Sequence, residues 1–284
     1  MVIADTGCVK EICISEKKGE RKIPISRAEF IKDHGIAGDA HAGGWHRQIS
    51  LLSAEDIAGV RSRLPNLRSG DFAENVIVSS LPTELLGLGS VIGIGHSVRL
   101  RISQLGKECH SPCIIAKSTG DCIMPRLGLF AEVLQGGTVS SGDQAAVLEC
   151  VPREKVQAVL IIPAGTDKKG AMTHFNQGIK DLDVNLYEVA GCDNNQESLS
   201  KVLFRYLKGR NIDVIIAAGF APGSFPPNRN ISDFVTVRSV HGDGPSGLAE
   251  TWRSLPPFNG RGGSAHILLI PSAASPAISN LESV

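Results

Sequence analysis

The sequence predicts two domains of different class, an N-terminal β-barrel followed by an α/β three-layer sandwich. Three observations carry that expectation. Up to about Cys150 the chain is built of short apolar runs punctuated by glycine, Val151-Pro152-Arg153-Glu154-Lys155 then forms a polar break, and beyond it longer apolar runs alternate with a helical pattern. A length of 284 residues agrees with two cores, since one domain usually takes roughly 100–200 residues. The expected division is 1–151 and 152–284.

In the first domain, Glu74-Asn75-Val76-Ile77-Val78 and Val98-Arg99-Leu100-Arg101-Ile102 alternate at period two, the mark of half-buried strands. One helix interrupts them. Ser53 can cap its first amides, Asp56 complements its positive end, and Ile57, Val60 and Leu64 recur at helical spacing. This helix is expected to cover one opening of the barrel. Glycine turns such as Gly87-Leu88-Gly89 and Gly136-Gly137 join strands short enough to favour closure, which hides their edges. In the second domain the unbroken run from Val156 to Pro163 suits a strand buried on both faces. Leu199, Val202, Leu203, Tyr206 and Leu207 then line one helical face, and Gly209 can close that helix. Asp213-Val214-Ile215-Ile216-Ala217-Ala218 resumes as a strand, and Ile267 to Ile270 supplies a last one, which together predict a parallel sheet.

Charge excludes several functions. With 29 basic and 29 acidic side chains, no global field concentrates the protein on nucleic acid or an anionic membrane. No apolar run approaches the roughly 18 residues needed to span a bilayer, and the first twenty residues mix charges throughout. The expectation is a soluble, unexported, cytoplasmic protein. Its seven cysteines then read as reduced thiols.

Three stretches concentrate polar chemistry. From Gly35 to Ser50 the chain packs four glycines with Asp39, His41, His46 and Arg47. Such a loop lets backbone approach a ligand while Arg47 offers a planar fork to phosphate. The same pattern also describes a tight turn in which Asp39 caps backbone amides. Ser69-Gly70-Asp71-Phe72-Ala73-Glu74-Asn75 is a second polar loop, read alone as structural. The third stretch, Lys107-Glu108-Cys109-His110-Ser111-Pro112-Cys113 with Gly120-Asp121-Cys122, is the densest. Cations beside Cys109 favour thiolate, the form that attacks sulfur or binds soft metals, so Cys109 is the candidate nucleophile. Cys113 and Cys122 can act as resolving or ligating partners. Cys8, Cys13, Cys150 and Cys192 read instead as small core hydrophobes. In the second domain, Ala217-Ala218-Gly219-Phe220-Ala221-Pro222-Gly223-Ser224 follows a buried strand, where α/β sheets expose amides to ligands.

The order Gly38-Asp39-x-His41 with Arg47, then Gly70-Asp71-Phe72-x-Glu74-Asn75, then Ile94-Gly95 with Leu100 and Cys109 resembles the MOSC domain across residues 5–150. That resemblance implies a β-barrel that binds the molybdenum or tungsten cofactor, molybdopterin. It implies a binding role for Asp39, His41, Arg47, Glu74 and Asn75, and it makes Cys109 a sulfur carrier or metal ligand; His110, Cys113 and Cys122 beside it are further candidate metal ligands by residue type alone. Residues 155–284 resemble the molybdopterin-binding fold of MogA/MoaB-type adenylyltransferases, which implies ligand contacts at Gly219, Gly223 and Ser275. This chain departs from that pattern. Gly219-Phe220-Ala221-Pro222 replaces Gly-Gly-Thr-Gly, and the Arg-Asp that follows is lost among Phe225-Pro226-Pro227-Asn228. Adenylyl transfer is therefore not expected, for want of an acidic ligand for magnesium. The implied activity is sulfur transfer or cofactor carriage. Its alternatives are a molybdenum-dependent oxidoreductase with Cys109 on the metal, and a non-catalytic storage protein. Implied partners are cofactor-biosynthetic or recipient molybdo- and tungstoenzymes, with self-association left open.

Overall fold

The computed structural model describes residues 6–106, 122–178, 183–207, 211–220, 235–239 and 265–271. The chain divides into two compact units, Met1–Glu154 and Lys155–Val284.

The first unit contains strands β1 (Thr6–Ile14), β2 (Ile23–Ile25), β3 (Arg27–Ile31), β4 (Gly35–Ile36), β5 (Ile49–Ser53), β6 (Val76–Ser79), β7 (Val91–Ile94), β8 (Val98–Leu105), β9 (Leu129–Gln135), β10 (Gly137–Ser140) and β11 (Gln144–Glu149), with helices α1 (Ala54–Arg61) and α2 (Met124–Leu127). Seven of the strands close on themselves in the order β1-β11-β7-β8-β9-β5-β6, because β11 pairs with β1 at Thr6–Cys8 as well as with β7. Strand β2 hangs outside the ring on the far half of β1. A small sheet, β10-β3-β4, stands beside it.

Alternation decides which side chains fill the barrel. Val98, Leu100 and Ile102 of β8 are buried while Arg99 and Arg101 between them are not, and β9 answers with buried Leu129, Ala131 and Val133. Register shifts within β1–β6, β7–β11 and β8–β9 supply the local bends that a small closed barrel needs.

Ser53 caps α1, its hydroxyl accepting the amides of Glu55 at 3.1 Å and Asp56 at 3.2 Å. The helix does not cover an opening as the sequence suggested. Strands β5 and β6 run parallel, so the chain must return along the sheet face between them, and α1 packs there. Leu52, Ile77 and Phe130, which point away from the barrel interior, form one cluster with Ile57, Val60, Leu67, Phe72, Ile123 and Met124.

The second unit contains β12 (Val156–Pro163), α3 (Lys168–Gly178), β13 (Val184–Cys192), α4 (Gln196–Leu207), β14 (Val214–Phe220), β15 (Val235–Ser239) and β16 (Ala265–Pro271). Its strands form a parallel sheet in the order β13-β12-β14-β16-β15. Ala158, Leu160 and Ile162 pack with Val214, Ile216 and Ala218 against Ala171 and Phe175 of α3. The intervening Val159, Ile161, Ile215 and Ala217 are also fully buried, the pattern of strands covered on both faces. Leu199, Leu203 and Tyr206 form the buried stripe of α4. The described part of the expected three-layer sandwich is this sheet with two helices, and its other connections lie outside the described residues. No helix among the described residues is long and apolar enough to cross a membrane.

Candidate functional site

Asp39, Glu74 and Asn75 belong to a polar network sealed beneath the glycine-rich loop. Asp39 pairs with Lys22, both side chains being 2% exposed. The same carboxylate oxygen accepts Asn75 Nδ2 at 2.5 Å, and the other accepts the His41 amide at 2.7 Å. Asn75 donates also to the Cys13 carbonyl at 3.0 Å, while its Oδ1 accepts the Ser50 hydroxyl at 2.9 Å. Glu74, fully buried, closes its own loop by accepting the Gly70 amide at 2.5 Å and the Phe72 amide at 3.0 Å. Gly70 must be glycine on two counts: its φ is +86°, and a Cβ there would stand 2.0 Å from the Lys22 carbonyl oxygen.

Electrostatics follow from this enclosure. Burial pushes Glu74 up to about 7 against the pull of its amide donors. Burial also pushes the Cys13 thiol up to about 12, with Glu74 and Glu11 adding to the effect. Lys22 is lowered by burial despite its bond to Asp39. Burial alone would raise Asp39, yet the hydrogen bonds from His41 and Lys22 hold it well below the usual carboxylate range. The charged form of Asp39 is therefore favoured by its partners. Asp39, Glu74 and Asn75 spend their bonding capacity inside the fold, where they fix the loop.

Above the network the loop presents other groups. His41 is half-buried with its ring 3.3 Å from Asp39. The Trp45 indole N–H donates to the His41 carbonyl at 2.9 Å. Arg47 lies over two rings, with its guanidinium carbon 4.8 Å from the Trp45 centroid and 5.7 Å from that of Phe130. His46 Nε2 is hydrogen-bonded to Gln104 Oε1 at 2.9 Å, Gln104 donates to the Gly106 carbonyl at 2.8 Å, and Ser103 Oγ donates to the His46 carbonyl.

Gly106 also forms the neck of the cysteine-bearing stretch. Its amide donates to the Gly128 carbonyl at 2.7 Å. Its φ of +68° and the 2.1 Å that would separate a Cβ from the Pro125 carbonyl oxygen exclude a larger residue. Cys109, His110 and Cys113 lie outside the described residues. Cys122 is described and packs half-buried against the cluster under α1. Among the described residues no three His, Cys, Asp or Glu side chains gather as a metal site. In the second unit Gly219 holds a φ of +81° in β14, whereas Gly223 and Ser275 fall outside the described residues.

The family model described as MOSC domain matches residues 38–146, from the glycine-rich loop to β11. Residues 38–146 form a MOSC domain. Within it stand Asp39, His41, Arg47, Glu74, Asn75 and the Gly106 neck, while Lys22 and Cys13, which complete the buried network, precede the matched span. The MOSC family is associated with binding of the molybdenum cofactor and with sulfur handling. Among solved structures the chain is similar to the YUAD protein of Bacillus subtilis, at 21% identity over 51% of this chain and 97% of that one, with a TM-score of 0.43. It is similar also to YiiM of Geobacillus stearothermophilus, at 18% identity over 50% of this chain and 75% of that one, TM-score 0.40. YiiM of Escherichia coli gives 15% identity, 51% and 71% coverage, and a TM-score of 0.39. No curated protein matches the chain.

Sequence reasoning did not single out Lys22, Ser50, Trp45, Gln104 or Phe130. Gln104 carried a faint signal, a polar residue inside the run Ile102-Ser103-Gln104-Leu105. Lys22 carried none, since a lysine beside an arginine and before a short strand is ordinarily solvated.

Proposed function

We propose that this protein binds and handles the molybdenum or tungsten cofactor, with Cys109 as carrier of sulfur. The observation that best supports the reading is the tether His46–Gln104–Gly106. It holds the glycine-rich loop, with its Arg47 guanidinium, against the neck from which the Cys109 stretch departs only three residues later. Arg47 suits an anionic group of the ligand, since a guanidinium meets phosphate in a planar fork. His41 and the backbone of the loop would hold the remainder. Asp39, Glu74 and Asn75 act in this reading as positioning residues, because their polar atoms are already engaged.

The cofactor, when bound, supplies the metal and its sulfur ligands. The chemistry of the chain is thiol exchange. Cys109 thiolate attacks the outer sulfur of a donor persulfide, the S–S bond of the donor breaks, the donor departs as thiolate, and Cys109 keeps the transferred sulfur as its own persulfide. The donor is a persulfide-bearing protein and the acceptor a molybdo- or tungstoenzyme. In the second unit the reading is a MogA/MoaB-like pterin-binding module without adenylyl transfer. Incubation with molybdopterin, magnesium and ATP is expected to give no adenylylated product, and formation of that product would refute this part.

The central test is native mass spectrometry of the full chain from a cofactor-producing host, paired with Cys109→Ser. The expected spectrum shows pterin bound to both proteins and an added sulfur only on the parent. Persulfide retained by Cys109→Ser, or pterin bound by neither protein, would overturn the assignment.

A further inference from the structure

Trp45 is held firmly and exposed at once. Its side chain belongs to a residue 38% exposed, yet the indole N–H is fixed to the His41 carbonyl and Arg47 lies over its ring. Arg47 is itself set against Phe130 behind it. A rigid indole facing water leaves apolar area unburied and has already lost its rotamer freedom, so the fold alone gains little by presenting it. The neighbouring Gly44 points the same way. Its backbone is outside the left-handed region, and a Cβ placed on it would meet nothing within 4 Å beyond its own chain neighbours. Neither turn geometry nor packing within the described chain requires a glycine there, and bare backbone borders the aromatic ring.

We propose that Trp45 is the seat of a planar heteroaromatic ring that carries negative charge. The ring stacks on the indole in the offset manner aromatic pairs prefer, and the bare backbone of Gly44 lets it approach closely. The Arg47 charge makes the platform selective for an anion over a neutral ring. Stacking recognises flat ring systems of many kinds, because each has a π-face, and the flanking cation narrows the choice. The inference rests on the cofactor-handling reading, under which the ring is the pterin, and it assigns that ring to a residue outside the set of polar ligand contacts.

The test uses the full chain in a Trp252→Phe background, which leaves Trp45 as the one indole. Pterin-6-carboxylate, 6-methylpterin and inorganic phosphate serve as separate probes, by equilibrium dialysis and by quenching of Trp45 emission. Pterin-6-carboxylate is expected to bind and quench, 6-methylpterin to bind at least fivefold more weakly, and phosphate alone to leave the emission unchanged. Trp45→Phe in the unaltered chain should keep binding within about threefold, and Trp45→Leu should weaken it at least tenfold. Gly44→Val, whose Cβ has open space around it apart from its chain neighbours, should weaken it similarly at an unchanged melting temperature. Undiminished binding by Trp45→Leu or Gly44→Val, or failure of the parent to bind the charged pterin, would overturn the platform. If the native spectrum shows the cofactor on the parent and persulfide on Cys109 while neither pterin probe quenches Trp45, the platform falls and the cofactor-handling reading stands. If Trp45 is quenched by pterin while Cys109 carries no sulfur, the reverse holds.

Discussion

Lys22 shows how a single charge can govern a loop far from it in sequence. It lies 17 residues before Asp39, and Asp39 is in turn 36 residues before Asn75. Removing one member of a buried ion pair strands the other, at a cost of about 3–5 kcal/mol. Lys22→Met is expected to lower the stability of the first unit by that amount, with part of it recovered in Lys22→Met/Asp39→Asn, as read from denaturant unfolding followed by Trp45 emission in the Trp252→Phe background. Glu74 gives a pH dependence of defined sign. Its carboxyl is raised from 4.5 to about 7 by burial, so the folded state holds a proton that the unfolded state releases between those values. The stabilisation is full below about 4.5 and declines by about 3 kcal/mol as pH rises through 7. Asp39 acts oppositely, since its value is lowered on folding and its contribution, present above 3.8, is lost as the pH falls. Glu74→Gln should flatten the melting temperature between about pH 4.5 and 7.5, and a slope as steep as the parent's would contradict the account. Sequence alone did name Asp39, Glu74 and Asn75 as important. It could not separate ligand contact from internal bonding, because Asn75 meets Cys13 across 62 residues and no local pattern records such a pairing.

At the scale of elements, what is set locally was readable. The cap at Ser53, the stripe Leu199-Leu203-Tyr206 and the alternation in β8 each follow from neighbouring residues, and the described structure contains all three. Placement of α1 was not readable, since it depends on β5 and β6 running parallel within an otherwise antiparallel ring. That pairing is decided by which strands meet, which short apolar runs do not encode. Ser53→Ala removes the side-chain acceptor of two helix amides and should cost about 1 kcal/mol. Ser53→Asp should retain most of it, and a loss as large as that of alanine in thermal unfolding would count against capping as the cause.

Taken as a whole molecule, the closed ring leaves its seven strands without an edge, whereas β2 lies outside it. Amides of Val9, Leu100 and Ala131 should therefore exchange with solvent only on global opening of the first unit, and those of Ile23 and Ile25 several decades faster. Equal protection of β2 and β8 in hydrogen-exchange mass spectrometry would contradict closure as the source of the difference. Thiol labelling gives a second whole-chain measure. Cys13 and Cys192 are buried and have thiols raised by burial, so iodoacetamide should reach them only after denaturant is added. Labelling of either in the native protein at the rate of half-buried Cys8 or Cys150 would show that these cores open.

The hydrogen bond between Gly106 and Gly128 closes the barrel ladder ahead of the cysteine-bearing stretch rather than through it. Scaffold and chemistry are thereby separable. Substitutions, insertions or exchange within 107–121 lengthen or rewrite a segment that lies between the two residues of that bond, at an entropic cost that grows only with the logarithm of its length. Exchange of that segment for another should leave the barrel folded, as a tool holder accepts different bits, whereas a side chain at either collar glycine would meet backbone within 3 Å.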